Sequence, residues 1–290
     1  MLHYIIWDVN PEIFSLGPVH VRWYGLLWAL AVYFAWVIVT KIFKHEKHPE
    51  DWSEKLFIYG TVGLIIGARL GHCFFYEWEP LANPVKILGI TFNYGNRYFT
   101  HPWELLYVWK GGLSSHGGAI GLLTAMYLYN KNVTHKGYIW ILDRLVIGVA
   151  LGGALIRLGN LMNSEIYGGE TSLPWGFIFV RNGETIPKHP TQIYEMIYCL
   201  ITFAICMWLY WKKDAYKKQG LIFGVFLLGI FLTRFLLEFI KNNQEAFEAD
   251  MMLNMGQWLS LPFVIWGICL IINAIYKGKK LKPDKDQSSK

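Results

Sequence analysis

Residues 138–160 read YIWILDRLVIGVALGGALIRLGN, and this stretch decides the class of the fold. An α-helix needs roughly 20 apolar residues to cross the hydrocarbon core of a membrane, and this stretch is long enough. Asp143 and Arg144 lie near one end, where a structural aspartate and a snorkelling arginine are the simplest interpretation. Arg157 lies near the other end, and a charge within a span usually faces a protein interior or a cavity. The stretch therefore predicts a transmembrane helix with a functional arginine.

Other apolar stretches of similar length recur along the 290 residues, of which 54% are hydrophobic. The predicted spans are residues 18–40, 56–78, 112–130, 138–160, 191–211, 220–240 and 257–276. The span 112–130 is the weakest because it opens with GLSSHGG. We expect an all-α membrane protein, a bundle of seven transmembrane helices that forms a single domain over residues 1–290.

Lysine and arginine are distributed unevenly between alternate connections. Of the 27, 16 fall in segments 41–55, 131–136, 212–218 and 277–290, whereas only 6 fall in segments 79–111, 161–190 and 241–256. Because cytoplasmic loops are enriched in these residues, the pattern predicts a periplasmic N-terminus and a cytoplasmic C-terminal tail at 277–290. It also predicts longer periplasmic segments at 79–111 and 161–190. The distribution of basic residues thus accounts for the net charge of +6 as a signal for membrane orientation. It gives no reason to expect binding of nucleic acid.

Four arginines lie within or beside the predicted spans, and the predicted orientation places them all in the outer half of the membrane: Arg22, Arg69, Arg157 and Arg234. A guanidinium group suits phosphate because it donates parallel hydrogen bonds and keeps its charge. Fewer acids are expected at that depth: Glu165, Glu195 and Glu238. His116 and His189 add to the cationic surplus, which predicts a site for an anion. The phosphate of an outer-leaflet phospholipid is the simplest candidate.

Several smaller features complete the prediction. Further polar side chains are expected at the same depth: Tyr24, Asn160, Asn163, Gln192 and Tyr194. The glycine spacing at Gly63, Gly67 and Gly71 is typical of closely packed membrane helices. The four cysteines lie singly in apolar segments, and no set of residues has the spacing of a metal site, so we expect neither metal nor cofactor.

Residues 157–168, RLGNLMNSEIYG, closely resemble the signature of the bacterial prolipoprotein diacylglyceryl transferases. Other segments match that family in the same order over about residues 10–275: IFSLGP (13–18), WYG (23–25), GARLG (67–71), GGLSSHGG (111–118), HPTQIYE (189–195), RF (234–235), EF (238–239) and MGQ (255–257). Three positions depart from the family pattern. Ile156 stands for a glycine, Ile230 for a tyrosine and Lys241 for an arginine, while the charged set is kept.

The resemblance implies a multi-pass enzyme of the bacterial inner (cytoplasmic) membrane. Such an enzyme transfers the diacylglyceryl group of phosphatidylglycerol to the lipobox cysteine of a prolipoprotein signal peptide, forming a thioether and releasing glycerol phosphate. It also implies that Arg157, Arg234 and His116 are the residues most needed, and that Tyr24, Asn160 and Glu165 are important.

Chemistry suggests a role for each residue of this set. We expect Arg157 and Arg234 to stabilise the leaving phosphate, with Arg69 as a helper, and His116 to accept the thiol proton. Headgroup contacts are expected from Tyr24, Asn160, Asn163 and Glu165, whereas His189 and Glu195 either shape the entrance or lock helices together. Two alternatives from other classes remain: a transporter for an organic anion, and a binding or assembly protein for an anionic lipid.

Overall fold

The computed structural model describes residues 4–17, 19–87, 90–96, 98, 101–107, 112, 114–241 and 252–280. The end of the predicted tail 277–290 and parts of the segment 79–111 lie outside these residues. The chain divides into two compact units. The first combines Met1–His45 with Ile139–Lys290, and the second is Glu46–Tyr138. We describe each unit by itself.

The described chain is mostly helical, as predicted. Its helices are α1 (Trp23–His45), α2 (Asp51–Phe75), α3 (Ser115–Tyr129), α4 (Tyr138–Met162), α5 (Thr191–Lys213), α6 (Leu221–Leu227), α7 (Thr233–Leu237) and α8 (Met255–Lys280). A π-helical turn, Leu228–Leu232, joins α6 to α7, so that Leu221–Ile240 forms one continuous segment.

Among the described residues, six helical segments are long and apolar enough to cross a membrane. They begin at Trp23, Asp51, Tyr138, Thr191, Leu221 and Met255. The predicted span 112–130 contains α3, which has 15 residues and continues into a π-helical turn at Asn130–Thr134. Six of the predicted spans are therefore confirmed by length and composition, and the third is represented by a shorter helix.

Short strands also occur, which the all-α prediction did not include. They are β1 (Ile5–Trp7), β2 (Glu12–Leu16), β3 (Val19–Arg22), β4 (Trp78–Ile87), β5 (Ile90–Asn96) and β6 (Phe177–Phe179). β1 pairs with β6 in parallel, while β2 pairs with β3 and β4 with β5 as antiparallel hairpins. β5 and β6 lie within the predicted connecting segments 79–111 and 161–190, and β4 overlaps the first of them.

Glycines set the packing of the second unit, where α2 lies directly against α3. A Cβ atom at Gly71 would lie 2.6 Å from the Cα of Gly117, and one at Gly67 would lie 2.6 Å from the Cα of Gly121. Side chains are thus excluded from the contact, which brings the two backbones together. The close helix packing predicted from the glycine spacing is confirmed.

We expect Gly67→Ala to destabilise the protein by roughly 1–3 kcal/mol, the usual cost of overpacking a filled interface. Gly60→Ala is the matched control on the same helix, because its Cβ atom would meet Leu122 at an ordinary 3.6 Å. Thermal unfolding of the purified variants in detergent measures the difference. Equal melting temperatures for the two variants would contradict the tight contact.

Helix α4 is the most buried span of the first unit. A Cβ atom at Gly148 would lie 2.7 Å from the Cα of Ala35, so α1 packs directly on α4. Asp143 accepts hydrogen bonds from the backbone N–H groups of Gly220 (2.6 Å) and Phe223 (2.8 Å), and so caps the start of α6. The structural interpretation of Asp143 is therefore supported by its contacts.

Arg144 does not snorkel, contrary to the prediction. The residue is only 2% exposed, and its guanidinium group donates to the backbone oxygens of Trp140 (3.0 Å) and Tyr216 (3.3 Å). Its guanidinium group also lies 4.2 Å from the centre of the Trp140 ring. Arg144 is thus a buried anchor between α4 and the turn before α6.

Candidate functional site

The end of α4 turns the chain sharply after Arg157. The Ser164 N–H donates to the Leu161 oxygen (2.9 Å), and the Glu165 N–H donates to the Asn160 oxygen (3.0 Å). This pair of bonds defines a Schellman motif, whose left-handed position is usually glycine and here is Ser164 with φ 55°. The turn brings Glu165 back beside the last turns of the helix.

The next residues are held in a strained conformation. Ile166 has φ 62°, which is rare for a β-branched residue. Side chains at the start of α5 hold this turn: Thr191 donates to the Ile166 oxygen (2.8 Å), and Gln192 donates to the Glu165 oxygen (2.7 Å). Strain of this kind persists only where the surroundings fix it, and it is frequent at functional sites.

Four of the predicted site residues gather near Arg157. Asn160 and Asn163 donate to Oε1 of Glu165 at 2.7 and 3.4 Å. Tyr24 packs against α4 at Gly159, where a Cβ atom would lie 2.9 Å from the tyrosine ring. Tyr24 is also within electrostatic reach of both Glu165 and Arg157. The structure thus brings these polar groups together around one arginine.

Arg157 and Arg234 are joined by three buried charges, and we call these five residues the ion network. Arg157 Nε lies 2.5 Å from one oxygen of Glu195, and Lys241 Nζ lies 2.5 Å from the other. Lys241 Nζ is 3.4 Å from Oε1 of Glu238, and Arg234 Nε is 3.7 Å from the same oxygen. The order is therefore Arg157, Glu195, Lys241, Glu238, Arg234.

Exposure differs sharply along the ion network. The side chains of Arg157 and Arg234 are 22% and 35% exposed, whereas those of Glu195, Lys241 and Glu238 are 1%, 5% and 4% exposed. Each arginine approaches its carboxylate through Nε: Arg157 approaches Glu195, and Arg234 approaches Glu238. The accessible face of the network therefore carries guanidinium groups, while the carboxylates lie behind them.

The start of α8 holds Glu238 in place. Asn254 donates to Oε2 of Glu238 at 3.2 Å, and a Cβ atom at Gly256 would lie 2.7 Å from the carboxyl carbon. Asn254 and Gln257 also form a reciprocal pair, in which each side chain accepts from the other's backbone N–H (2.9 and 3.0 Å). This pair is a capping box, so helix capping and Glu238 placement use the same residues.

His189 joins a hydrogen-bonded row at the entrance to α5. Trp175 Nε1 donates to the Tyr194 hydroxyl (2.8 Å), which lies 3.3 Å from His189 Nδ1. Because an indole N–H only donates, the tyrosine hydrogen is available to Nδ1, and the imidazole proton is then on Nε2. Burial lowers the pKa of His189, which agrees with a neutral ring.

Arg69 and His116 belong to the second unit, whereas the ion network belongs to the first. Arg69 is 6% exposed and donates to the backbone oxygens of Leu105 (3.0 Å), Gly112 (3.2 Å) and Glu104 (2.7 Å). It therefore ties the 3₁₀ turn Pro102–Leu106 to α2. His116 is exposed on the first turn of α3, just after the capping residue Ser114.

Arg22 lies outside the set of arginines in membrane spans. It ends β3, its side chain is 62% exposed, and its Nη2 is 3.7 Å from Glu12. The first candidate span begins at Trp23, not at residue 18 as predicted. Arg22 is thus a surface residue of the β2–β3 hairpin and offers a useful control.

Sequence reasoning missed two members of the site. Lys241 was noted only as a departure from the family pattern, and Asn254 was not noted. The spacing of Lys241 three residues after Glu238 is a recognisable signal for an ion pair. No comparable signal existed for Asn254, because its contact depends on how α8 begins.

The charges of the site are closer to balance than predicted. Arg157, Arg234 and Lys241 face Glu195 and Glu238 directly, and Glu165 lies beside Asn160. An anion is favoured by the arrangement of these charges, since the exposed ends are cationic and the acids are buried. Within the described ranges, no three His, Cys, Asp or Glu side chains cluster as a metal site would need.

Comparison with known proteins identifies the family. The model of the family "Prolipoprotein diacylglyceryl transferase" matches residues 11–273. The chain is 46% identical to the phosphatidylglycerol--prolipoprotein diacylglyceryl transferase of Chloroherpeton thalassium, over 95% of this chain and 96% of the relative. Proteins of the same name from Porphyromonas gingivalis (48% identical; 94% and 95% covered) and Tolumonas auensis (38%; 92% and 96%) are also similar. This chain therefore belongs to the prolipoprotein diacylglyceryl transferase family.

Proposed function

We propose that this protein transfers the diacylglyceryl group of phosphatidylglycerol to the thiol of the lipobox cysteine in a prolipoprotein signal peptide. The names of its relatives support the reaction. The observation in the structure that carries the proposal is the pair of partly exposed arginines in front of buried carboxylates. Such a surface suits a phosphate group whose negative charge increases during the reaction.

The reaction is a substitution at the glyceryl carbon that bears the phosphate. A C–S bond forms as the C–O bond breaks, so the phosphodiester with one negative charge becomes a glycerol phosphate monoester with two. The thiol proton must leave, because the thiolate is the nucleophile. We assign the phosphate to Arg157 and Arg234 and the thiol proton to His116.

The remaining predicted residues receive supporting roles in this proposal. Tyr24, Asn160, Asn163 and Glu165 orient the headgroup, and their mutual hydrogen bonds support a preorganised arrangement. Glu195 positions Arg157 from behind. His189, as a neutral Nε2–H donor, shapes the entrance. We propose that Arg69 acts indirectly by fixing the backbone at Glu104, Leu105 and Gly112, since it donates to their three backbone oxygens.

We further propose that the protein lies in the bacterial inner membrane with its N-terminus periplasmic and its C-terminus cytoplasmic. In this arrangement α3 and its π-helical extension supply the seventh crossing. The distribution of lysine and arginine supports the orientation. Phosphatidylglycerol of the outer leaflet and the signal peptide would then meet at the level of Arg157 and Arg234.

The test uses purified protein in detergent with phosphatidylglycerol and a peptide bearing a lipobox cysteine. Mass spectrometry follows both products, the diacylglyceryl thioether and glycerol phosphate. We expect both, in equal amounts, and a peptide with serine in place of the cysteine should give neither. Tight retention of phosphatidylglycerol with no product would instead favour the lipid-binding or transport alternative.

A further inference from the structure

We propose that Lys241 is a positioning residue that sets the separation and orientation of Arg157 and Arg234. The inference rests on the function proposed above and concerns the same site. Lys241 stands at the middle of the ion network and contacts one carboxylate on each side. It would act through Glu195 and Glu238, without touching substrate.

The contacts of Lys241 place it between the two arginines. Its ammonium group is hydrogen-bonded to Glu195 and also to Glu238, at 2.5 and 3.4 Å. Each of these carboxylates in turn contacts the Nε of one arginine. One ammonium group therefore holds the two carboxylates relative to each other. Each carboxylate lies beside one guanidinium group, at 2.5 Å from Arg157 Nε and at 3.7 Å from Arg234 Nε.

Burial shows why this ammonium group is needed. Glu195 and Glu238 are 1% and 4% exposed at the side chain, so solvent does little to screen their mutual repulsion. Two buried carboxylates at close range repel each other unless a cation lies between them. Without Lys241, each carboxylate would be drawn towards its arginine, and the partly exposed guanidinium groups would shift.

The low exposure of the Lys241 side chain gives it less access to the substrate than either arginine has. Its side chain is 5% exposed, against 22% and 35% for the arginines. The backbone around it is also fixed, because the Gly169 N–H donates to the Ile240 oxygen at 3.0 Å. A Cβ atom at Gly168 would lie 2.7 Å from the same oxygen. Gly168, which ends the signature segment, and Gly169, which follows it, therefore hold the backbone just before Lys241.

The chain contains a matched control for this proposal. Lys188 is also a buried lysine of the first unit, 11% exposed at the side chain, and it also bridges two carboxylates. Its partners are Glu170 and Glu184, at 3.4 and 3.3 Å, and neither of them contacts an arginine of the ion network. Its partners are more exposed than those of Lys241, at 63% and 26%. Loss of Lys188 thus removes a buried lysine and its two ion pairs without disturbing the proposed site.

The experiment compares kcat, KM and melting temperature for Lys241→Met, Lys241→Arg and Lys188→Met in the peptide assay. We expect Lys241→Met to lower kcat roughly 100-fold with KM little changed, the effect of slightly misplaced catalytic groups. Lys241→Arg should keep most of the activity, because a cation remains between the carboxylates. Lys188→Met should lower the melting temperature and leave kcat near the wild-type value.

Two results would overturn the proposal. One is wild-type kcat in Lys241→Met; the other is an equal loss of kcat in Lys241→Met and Lys188→Met, which would indicate general destabilisation. If Lys241→Met does not accumulate as folded protein, Lys241→Gln replaces it, because glutamine keeps a neutral hydrogen-bond donor. Its kcat and melting temperature are then compared with those of Lys188→Met. Absence of product from the wild-type protein would instead count against the proposed function, so the two failures are distinguishable.

Discussion

Arg157→Ala should reduce diacylglyceryl transfer by roughly 100- to 1000-fold, the range seen when one preorganised donor to a developing anion is removed. In the proposed reaction the leaving phosphate gains a full negative charge, and we propose that Arg157, one of two partly exposed arginines of the ion network, stabilises it. The fold should survive the substitution, because Glu195 keeps the ammonium group of Lys241 as its partner. The loss should therefore appear in turnover and not in protein yield.

Two variants make this measurement specific. Arg22→Ala removes an arginine that is 62% exposed and pairs only loosely with Glu12, and it should keep wild-type activity. Arg157→Lys keeps the charge but loses the planar pair of donors, so its activity should be intermediate. Initial rates by mass spectrometry, with the melting temperature of each variant, give the comparison. Normal turnover by Arg157→Ala would refute the phosphate assignment.

The helical scaffold was predictable because long apolar runs with few charges leave few alternatives. The prediction was less successful for a short helix and for strands whose pairing partners lie far away in the sequence. α3 has only 15 residues, and whether such a helix crosses a membrane depends on its surroundings and not on its composition. The pairing of β1 with β6 was missed because it joins residues 172 positions apart, from Ile5 to Phe177. The local hairpins β2–β3 and β4–β5 were also not predicted.

The position of an arginine in the sequence does not determine which groups its side chain contacts. Arg22 and Arg69 were expected to face an anion, yet Arg69 donates to backbone oxygens and Arg22 is exposed on a hairpin. Arg144 was expected to snorkel, yet it is buried against Trp140. A guanidinium group serves each of these roles equally well, and only its neighbours distinguish them. The grouping of Arg157 with Asn160 and Glu165 was more predictable, since a few residues at the end of one helix are necessarily close.

His116→Gln is the second change with a large expected effect. A positioned general base contributes roughly 100- to 10,000-fold, so loss of His116 should reduce transfer at neutral pH by at least the lower figure. The loss should shrink at higher pH. A cysteine thiol ionises by itself above its ordinary pKa of about 8.5, and a base is then no longer required.

The ratio of the wild-type rate to the His116→Gln rate, measured across pH, therefore tests whether His116 acts as the general base. We expect this ratio to fall as the pH rises from about 7 through the thiol pKa of about 8.5. His20→Gln is the control, since His20 is 51% exposed on β3 and pairs with Glu12; its ratio should stay near one throughout. A large but constant ratio for His116→Gln would exclude proton abstraction and indicate that His116 orients a substrate. The pH profile thus separates a chemical role from a positional one, which a single rate measurement cannot do.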